Sequence, residues 1–235
     1  MTSAPGAVSG AVLGVVLAGG LSRRMGGGDK ALRTLGGRTL LDRVTERFAP
    51  QCGAGLILNA NGDPARFAGF PGPVVPDGVP ENPGPLAGIL AALDHAARLH
   101  PGVDHVASVT GDAPFLPADL VARLSEAVGE ASNAAPSIAG PSIAGPSIAM
   151  AASNGREHFT VALWPVALRA ALHDFLVVRG ERRVGAFLRA HGAVPVAWPA
   201  EPLDPFWNIN TPEDLAAAEA RVSDGLSTQP RRQRG

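Results

Sequence analysis

The sequence predicts an α/β protein in which a mostly parallel sheet is flanked by helices. Three observations predict it. Short apolar runs at Val12–Leu17, Gly55–Leu58, Val74–Val75 and Val103–Val109 alternate with longer segments of helical periodicity. Such alternation is the pattern of parallel strands joined by helical crossovers. The runs are nearly continuous in hydrophobicity, as strands buried on both faces are. Finally, 235 residues suffice to bury a full core, and one domain is the simplest count.

The first strand, Val12–Leu17, follows a small, polar N-terminal stretch, residues 1–10, that is expected to be disordered. Thr39 is a plausible N-cap for a helix to about Phe48, with Leu40, Leu41, Val44 and Phe48 on one face. The second run ends in Asn59-Ala60-Asn61 and the third in Pro76-Asp77. Pro85 stands where a helix tolerates proline, and Leu86, Ile89, Leu90 and Leu93 carry the periodicity to about Leu99. The fourth run ends in Thr110-Gly111-Asp112, and Pro117 is expected to start a helix to about Val128. Residues 136–149 repeat the pentapeptide PSIAG, whose regular prolines block helix and central strand, so a surface insert is expected there. Around Asn154-Gly155, the segments Ile148–Ala152 and Phe159–Leu163 read as a β-hairpin. Pro165 should begin a helix to about Val177, and a short helix should follow Gly180-Glu181-Arg182-Arg183. Val194–Val196 reads as an edge strand and Phe206–Asn210 as a last strand-like segment. Thr211, with Pro212 and the acids behind it, caps a final helix to about Val222.

Composition narrows the function classes. The net charge is −1, which suggests neither a nucleic-acid groove nor a membrane-surface patch. No run of apolar residues is long enough to span a bilayer, and the N-terminus lacks the basic region of a signal peptide. The single Cys52 excludes an internal disulfide framework and fits a reducing cytosol, so a cytoplasmic protein is expected.

The chemistry concentrates at Leu17–Lys30, LAGGLSRRMGGGDK, where five glycines, two arginines and a lysine follow a buried strand. Glycine leaves its backbone N–H open to a ligand, so a loop placed there can aim donors at phosphate oxygens. Arg23, Arg24 and Lys30 supply the counter-charge. The bland alternative is a solvated loop; position after a buried strand favours phosphate. The loop is neither a dinucleotide fingerprint nor a P-loop, since Asp29 precedes Lys30 and Ala31 follows it. In an open parallel sheet, ligands bind beyond the carboxyl ends of the strands. Asn59, Asp77 and Asp112 stand at three such ends. Each alone could be a turn residue bonding its own backbone; their joint placement argues for a site. Asp112 is the strongest, a hard oxygen ligand suited to Mg²⁺ shared with substrate phosphates.

These motifs together resemble the MobA family of molybdenum cofactor guanylyltransferases. The matching residues run in order: the loop with Arg24-Met25-Gly26 and Lys30, Asn59-Ala60-Asn61, Asp77, Pro83-Gly84-Pro85-Leu86-Ala87-Gly88, Asp112-Ala113-Pro114, Gly180–Val184, and Asn208-Ile209-Asn210-Thr211-Pro212-Glu213-Asp214-Leu215. The resemblance implies a three-layer, Rossmann-like nucleotidyltransferase fold with a small β-hairpin and helical part on the substrate side. It implies one domain over residues 11–222. The nucleotide-binding part would be about 11–130 and the pterin-side part about 147–222, with 131–146 and 223–235 disordered. It assigns Leu17, Ala18, Gly19, Gly20, Lys30, Asn59, Asp77 and Asp112 to GTP, with Asp112 also on Mg²⁺, and Arg24 beside Lys30 and Asp112 in catalysis. Arg182, Asn208 and Asn210 resemble residues on the molybdopterin side. The implied reaction moves GMP from GTP to the terminal phosphate of molybdopterin and releases pyrophosphate. A monomer is implied, with molybdoenzymes, their chaperones or other cofactor-biosynthesis proteins as partners. The alternatives are a cytidylyltransferase on the same cofactor, another NTP-dependent nucleotidyltransferase, or a non-catalytic nucleotide-binding partner of molybdoenzymes.

Overall fold

The structure is a computed structural model that describes residues 11–19, 28–79, 84–133 and 147–223. Gly20, Arg23 and Arg24, Pro83, most of the pentapeptide repeat and both chain ends lie outside the described residues.

Seven strands form the central sheet. The first five chain segments that enter it or flank it are β1 (Leu13–Leu17), α1 (Leu40–Phe48), β4 (Leu56–Asn59), β5 (Val74–Val75) and α2 (Pro85–Leu99). They are followed by β6 (His105–Thr110), α3 (Leu120–Asn133), β7 (Ala149–Ser153), β8 (Arg156–Pro165), α4 (Arg169–His173), α5 (Val184–Ala190) and β9 (Val194–Trp198). The strand order is β5-β4-β1-β6-β8-β7-β9. Every pairing is parallel except those that β8 makes with β6 and β7, so β8 alone runs against the others.

The apolar runs alternate faces although they look continuous. Leu13 and Val15 pack with α2, α4 and α5, whereas Val12 and Val16 pack with α1 and α3. That makes three layers. Gly14 lets α1 and β4 close on β1: a Cβ there would lie 2.3 Å from Leu56 Cδ2 and 2.6 Å from Cys52 Sγ. Burial pushes the Cys52 thiol up to about 12, so this cysteine packs rather than reacts. The expected Thr39 cap is present as a capping box with Asp42. Among the described residues no helix is long and apolar enough to cross a membrane.

Several sequence expectations are corrected. A small hairpin, β2 (Thr34–Leu35) with β3 (Arg38–Thr39), precedes α1. Its two-residue Gly36-Gly37 turn has both φ positive, a hairpin signal present in the sequence. The fourth strand starts at His105, not Val103, because Val103 N–H closes a turn onto His100 O. α3 starts at Leu120, not Pro117, and its last turn takes in residues 131–133, expected to be disordered. The helix expected over Pro165–Val177 is broken into a 3-10 turn (Val166–Leu168), α4, and a π turn (Asp174–Val178). Phe206–Asn210 is not a strand. Phe206 N–H bonds the Asp204 carboxylate, and Ile209 N–H bonds Asp112 O, so the segment is stitched to loops instead of to a neighbouring strand. α6 (Pro212–Ser223) is the last element among the described residues, with Leu35, Leu40, Phe115 and Ile209 in a small separate core beneath it.

Candidate active site

The carboxyl ends of β1, β4 and β6 surround a cavity of about 300 Å³. It sits where the chain switches sides of β1, going first to β4 and later to β6, the place where open α/β sheets bind ligands. Leu17, Ala18, Gly19, Lys30, Asn59, Asp77 and Asp112 all line it, so these predicted residues do converge. Asn61, Thr110, Gly111 and Thr160 line it too. Asn61 was visible in the Asn59-Ala60-Asn61 motif. Thr160 was not, because it belongs to β8, whose antiparallel placement beside β6 no local pattern announces.

At one end lies a locked carboxylate. Asp77 Oδ1 accepts from Asn59 Nδ2 at 2.9 Å and Oδ2 accepts from Asn61 Nδ2 at 2.8 Å. Asn59 Nδ2 also donates to Val75 O at 3.1 Å, and Asp77 N–H donates to Asn61 Oδ1 at 2.9 Å. Gly88 of α2 makes room for Asn59: a Cβ there would come within 2.1 Å of Asn59 Oδ1. The second glycine of Pro-Gly-Pro-Leu-Ala-Gly is thus required by close approach and not by turn geometry.

At the other end, Lys30 Nζ donates to Asp112 Oδ2 and to Asn210 Oδ1. Ile209 N–H bonds Asp112 O at 2.9 Å, and Asp214 Oδ2 accepts from Asn210 N–H at 2.9 Å and Thr211 N–H at 3.0 Å. The cap of α6 therefore fixes Asn210 against the lysine. Sequence resemblance put Asn210 on the pterin side; its contact is with Lys30. Asp112 Oδ1 is buried without a hydrogen-bond partner among the described residues. Asp112 is among the residues that line the cavity, and a carboxylate with a spare lone pair suits a hard cation. No group of three or more His, Cys, Asp or Glu among the described residues could hold a metal. An ion here would therefore take most of its ligands from substrate phosphates and water.

A second cavity, about 460 Å³, opens between β8 and α5. Arg156, His158, Thr160, Arg183, Arg189 and Asn208 are among its walls. Thr160 lines both cavities, and Thr110 Oγ1, on the wall of the first, donates to Asn208 Oδ1, on the wall of the second, at 3.3 Å. Of the tandem arginines, Arg183 faces this cavity and Arg182 does not. Glu181 grips Arg183 with Oε1 at 2.9 Å from Nε and Oε2 at 2.5 Å from a terminal nitrogen, and also accepts from the N–H groups of Arg182 and Arg183. Those bonds, led by the Arg183 side chain, hold the Glu181 carboxyl down at about 2.

The sequence model of the MobA-like NTP transferase domain matches residues 14–194. A molybdenum cofactor guanylyltransferase of Nitrobacter hamburgensis is 52% identical over 206 residues, 88% of this chain and 92% of that protein. One from Bradyrhizobium sp. is 51% identical over 209 residues, 89% and 92%. In three dimensions the chain resembles the molybdopterin-guanine dinucleotide biosynthesis protein A of Archaeoglobus fulgidus, with a TM-score of 0.64 at 22% identity, covering 91% of this chain and all of that one. It also resembles a Mycobacterium tuberculosis protein crystallised in complex with manganese, with a TM-score of 0.60 at 18% identity, covering 89% and 98%. These two structures share the fold. By the domain match and the identity to its relatives, the chain belongs to the MobA-like nucleotidyltransferase family.

Proposed function

We propose that this protein transfers GMP from GTP to the terminal phosphate of molybdopterin, giving the guanine dinucleotide form of the cofactor and pyrophosphate, with Mg²⁺ bound. The observation that carries the reading is that two cavities abut at Thr160 and Asn208, beside Lys30 and Asp112. One cavity has the features a nucleoside triphosphate needs, and the other has arginines for an anionic second substrate.

The roles follow from the side chains. Asp77 would accept the N–H groups on guanine's pairing edge, since both its oxygens are oriented by amides. Leu17, Ala18, Gly19 and, from the sequence, Gly20 and Arg24 would face the phosphates. Lys30 would exchange its bonds with Asp112 and Asn210 for the triphosphate. A phosphate oxygen of molybdopterin attacks the α-phosphorus; the bond from that phosphorus to the bridging β-oxygen breaks, and pyrophosphate leaves with the electron pair. The attacking oxygen is already anionic, so no general base is required. Positioning and charge stabilisation then supply the rate. Mg²⁺ on Asp112, when bound, would neutralise charge at the α-phosphate and leaving group. Asn208 and Arg183 would hold molybdopterin; Arg182, carried over by resemblance, stands next to the cavity-facing arginine. A soluble, cytoplasmic monomer serving molybdoenzymes or their chaperones is part of the same proposal.

The test is incubation with molybdopterin, Mg²⁺ and each NTP in turn, with pyrophosphate release and product mass as readouts. A guanine dinucleotide from GTP alone is the expected result. A cytosine product would favour the cytidylyltransferase reading, and no product from any NTP would sink the enzymatic one.

A further inference from the structure

One residue of the cavity between β8 and α5, His158, belongs to a cluster that the transfer chemistry leaves unused. Ser153, at the end of β7 and only 1% exposed, has its Oγ 2.9 and 3.0 Å from the two oxygens of Asp204 and 2.7 Å from Nε2 of His158. A carboxylate only accepts, so the single hydroxyl proton of Ser153 is directed at Asp204. The Ser153 oxygen can then only accept from the ring, which makes Nε2 of His158 the protonated nitrogen. Asp204 is itself fixed, because Oδ1 accepts from Phe206 N–H at 2.9 Å. The Phe206 ring lies 4.8 Å from the His158 ring. His158 is thus held at one nitrogen and over one face, and the residue is among those that line the cavity. Its Nδ1 makes no hydrogen bond among the described residues. Burial lowers the His158 pKa, opposed by Asp204 and reinforced by Arg156. The ring is therefore neutral at pH 7, with its lone pair on Nδ1.

The geometry points to His158 as a binding residue that accepts a hydrogen bond from an N–H of the molybdopterin ring system, in the tautomer that Ser153 and Asp204 dictate. This rests on the assignment of the cavity to molybdopterin. Arg156, Arg183 and Arg189 attract any anion and so do not discriminate among phosphorylated ligands. A fixed acceptor atom does discriminate: it pairs with an amine or amide N–H and disfavours a phosphate or carboxylate oxygen. His158 is two residues along β8 from Thr160, roughly 7 Å from the junction of the cavities. That separation suits a heterocycle trailing behind a phosphate seated at Thr160 and Asn208.

The test begins with nitrogen-15 NMR of the histidine rings in the wild-type protein. The expected spectrum has His158 protonated at Nε2 and bare at Nδ1, with the Nδ1 signal shifting on addition of molybdopterin without a second proton. His158→Gln keeps an amide nitrogen within reach of Ser153 but removes Nδ1. It should weaken molybdopterin binding roughly fivefold to tenfold, the loss expected for one hydrogen bond, and leave GTP affinity unchanged. Ser153→Ala should mix the two tautomers in the spectrum and weaken binding by a smaller factor. A ring found protonated at Nδ1, or doubly protonated in the complex, overturns the inference without touching the cavity assignment. Wild-type molybdopterin affinity in His158→Gln, alongside lost affinity in Arg183→Ala, does the same. If neither variant changes molybdopterin binding, the cavity assignment fails and takes the inference with it.

Discussion

The two cavities hold their polar groups in different ways. In the cavity at the ends of β1, β4 and β6, each functional side chain is fixed by others: Asp77 by two amides, Lys30 by Asp112 and Asn210, Asn210 by the cap of α6. In the cavity between β8 and α5, the arginines are exposed, and Arg183 owes its position to the single carboxylate of Glu181. Exposed ion pairs contribute little and are easily rearranged. Side chains each held by several partners are confined to a narrower geometry. The first cavity is thus prepared for a ligand of fixed shape and for charge developing at one atom. The second can adjust its arginines to a bulkier anion, with His158 as its fixed point.

The largest expected effect lies where the comparison is sharpest. Asp112→Asn keeps the shape and removes the charge that suits a cation. Turnover should fall on the order of a hundredfold or more, since metal-borne stabilisation of the transition state is worth several kcal/mol. Excess Mg²⁺ should restore part of it by mass action. Unchanged turnover at ordinary Mg²⁺ would reduce Asp112 to a turn residue.

Next comes the lock on Asp77. Gly88→Ala places a methyl within 2.1 Å of Asn59 Oδ1 and must displace the amide that orients Asp77. We expect GTP affinity to drop about tenfold, near 1.4 kcal/mol, with molybdopterin affinity unaffected in the same calorimetric titrations. Equal losses for both ligands would dissolve the distinction between the cavities.

A smaller change is expected from the adaptable wall. Arg183→Ala should weaken molybdopterin binding several-fold, about the 1 kcal/mol of an exposed charged contact, and Glu181→Gln should do so less, because Arg183 loses its clamp but keeps its charge. GTP affinity should stay at the wild-type value in both. The Glu181 carboxyl titrates near 2, so its clamp is complete above the ordinary carboxylate range and is lost only as pH falls towards that value. Molybdopterin affinity between pH 5 and 8 should therefore show no step from Glu181; a step that vanishes in Glu181→Gln would contradict this.

The smallest effect is expected from the repeat. Removing Pro136–Gly145, two whole pentapeptides, should leave turnover within about tenfold of wild type, or 1.4 kcal/mol. A greater loss would show that the insert reaches one of the cavities.

Periodicity and local chemistry decided much of this protein in the sequence itself. Val12–Leu17 had to be a buried strand, Thr39 and Thr211 had to cap helices, and Asn154-Gly155 had to turn a hairpin, because each depends on neighbours a few residues away. The strand-end rule likewise brought Asn59, Asp77, Asp112 and Lys30 together before any coordinates. Tertiary structure alone decided the rest. Which arginine of the Arg182-Arg183 pair faces a cavity depends on how the π turn and Gly180 deliver the chain to α5. That Asn210 meets Lys30, that Thr160 joins two cavities, and that Ser153 and Asp204 set the proton on His158 depend on contacts across 180, 52 and 51 residues of chain, between Lys30 and Asn210, Ser108 and Thr160, and Ser153 and Asp204. Sequence patterns report local periodicity and capping; where β8 lies beside β6, and what it then touches, is fixed only when the sheet closes around it.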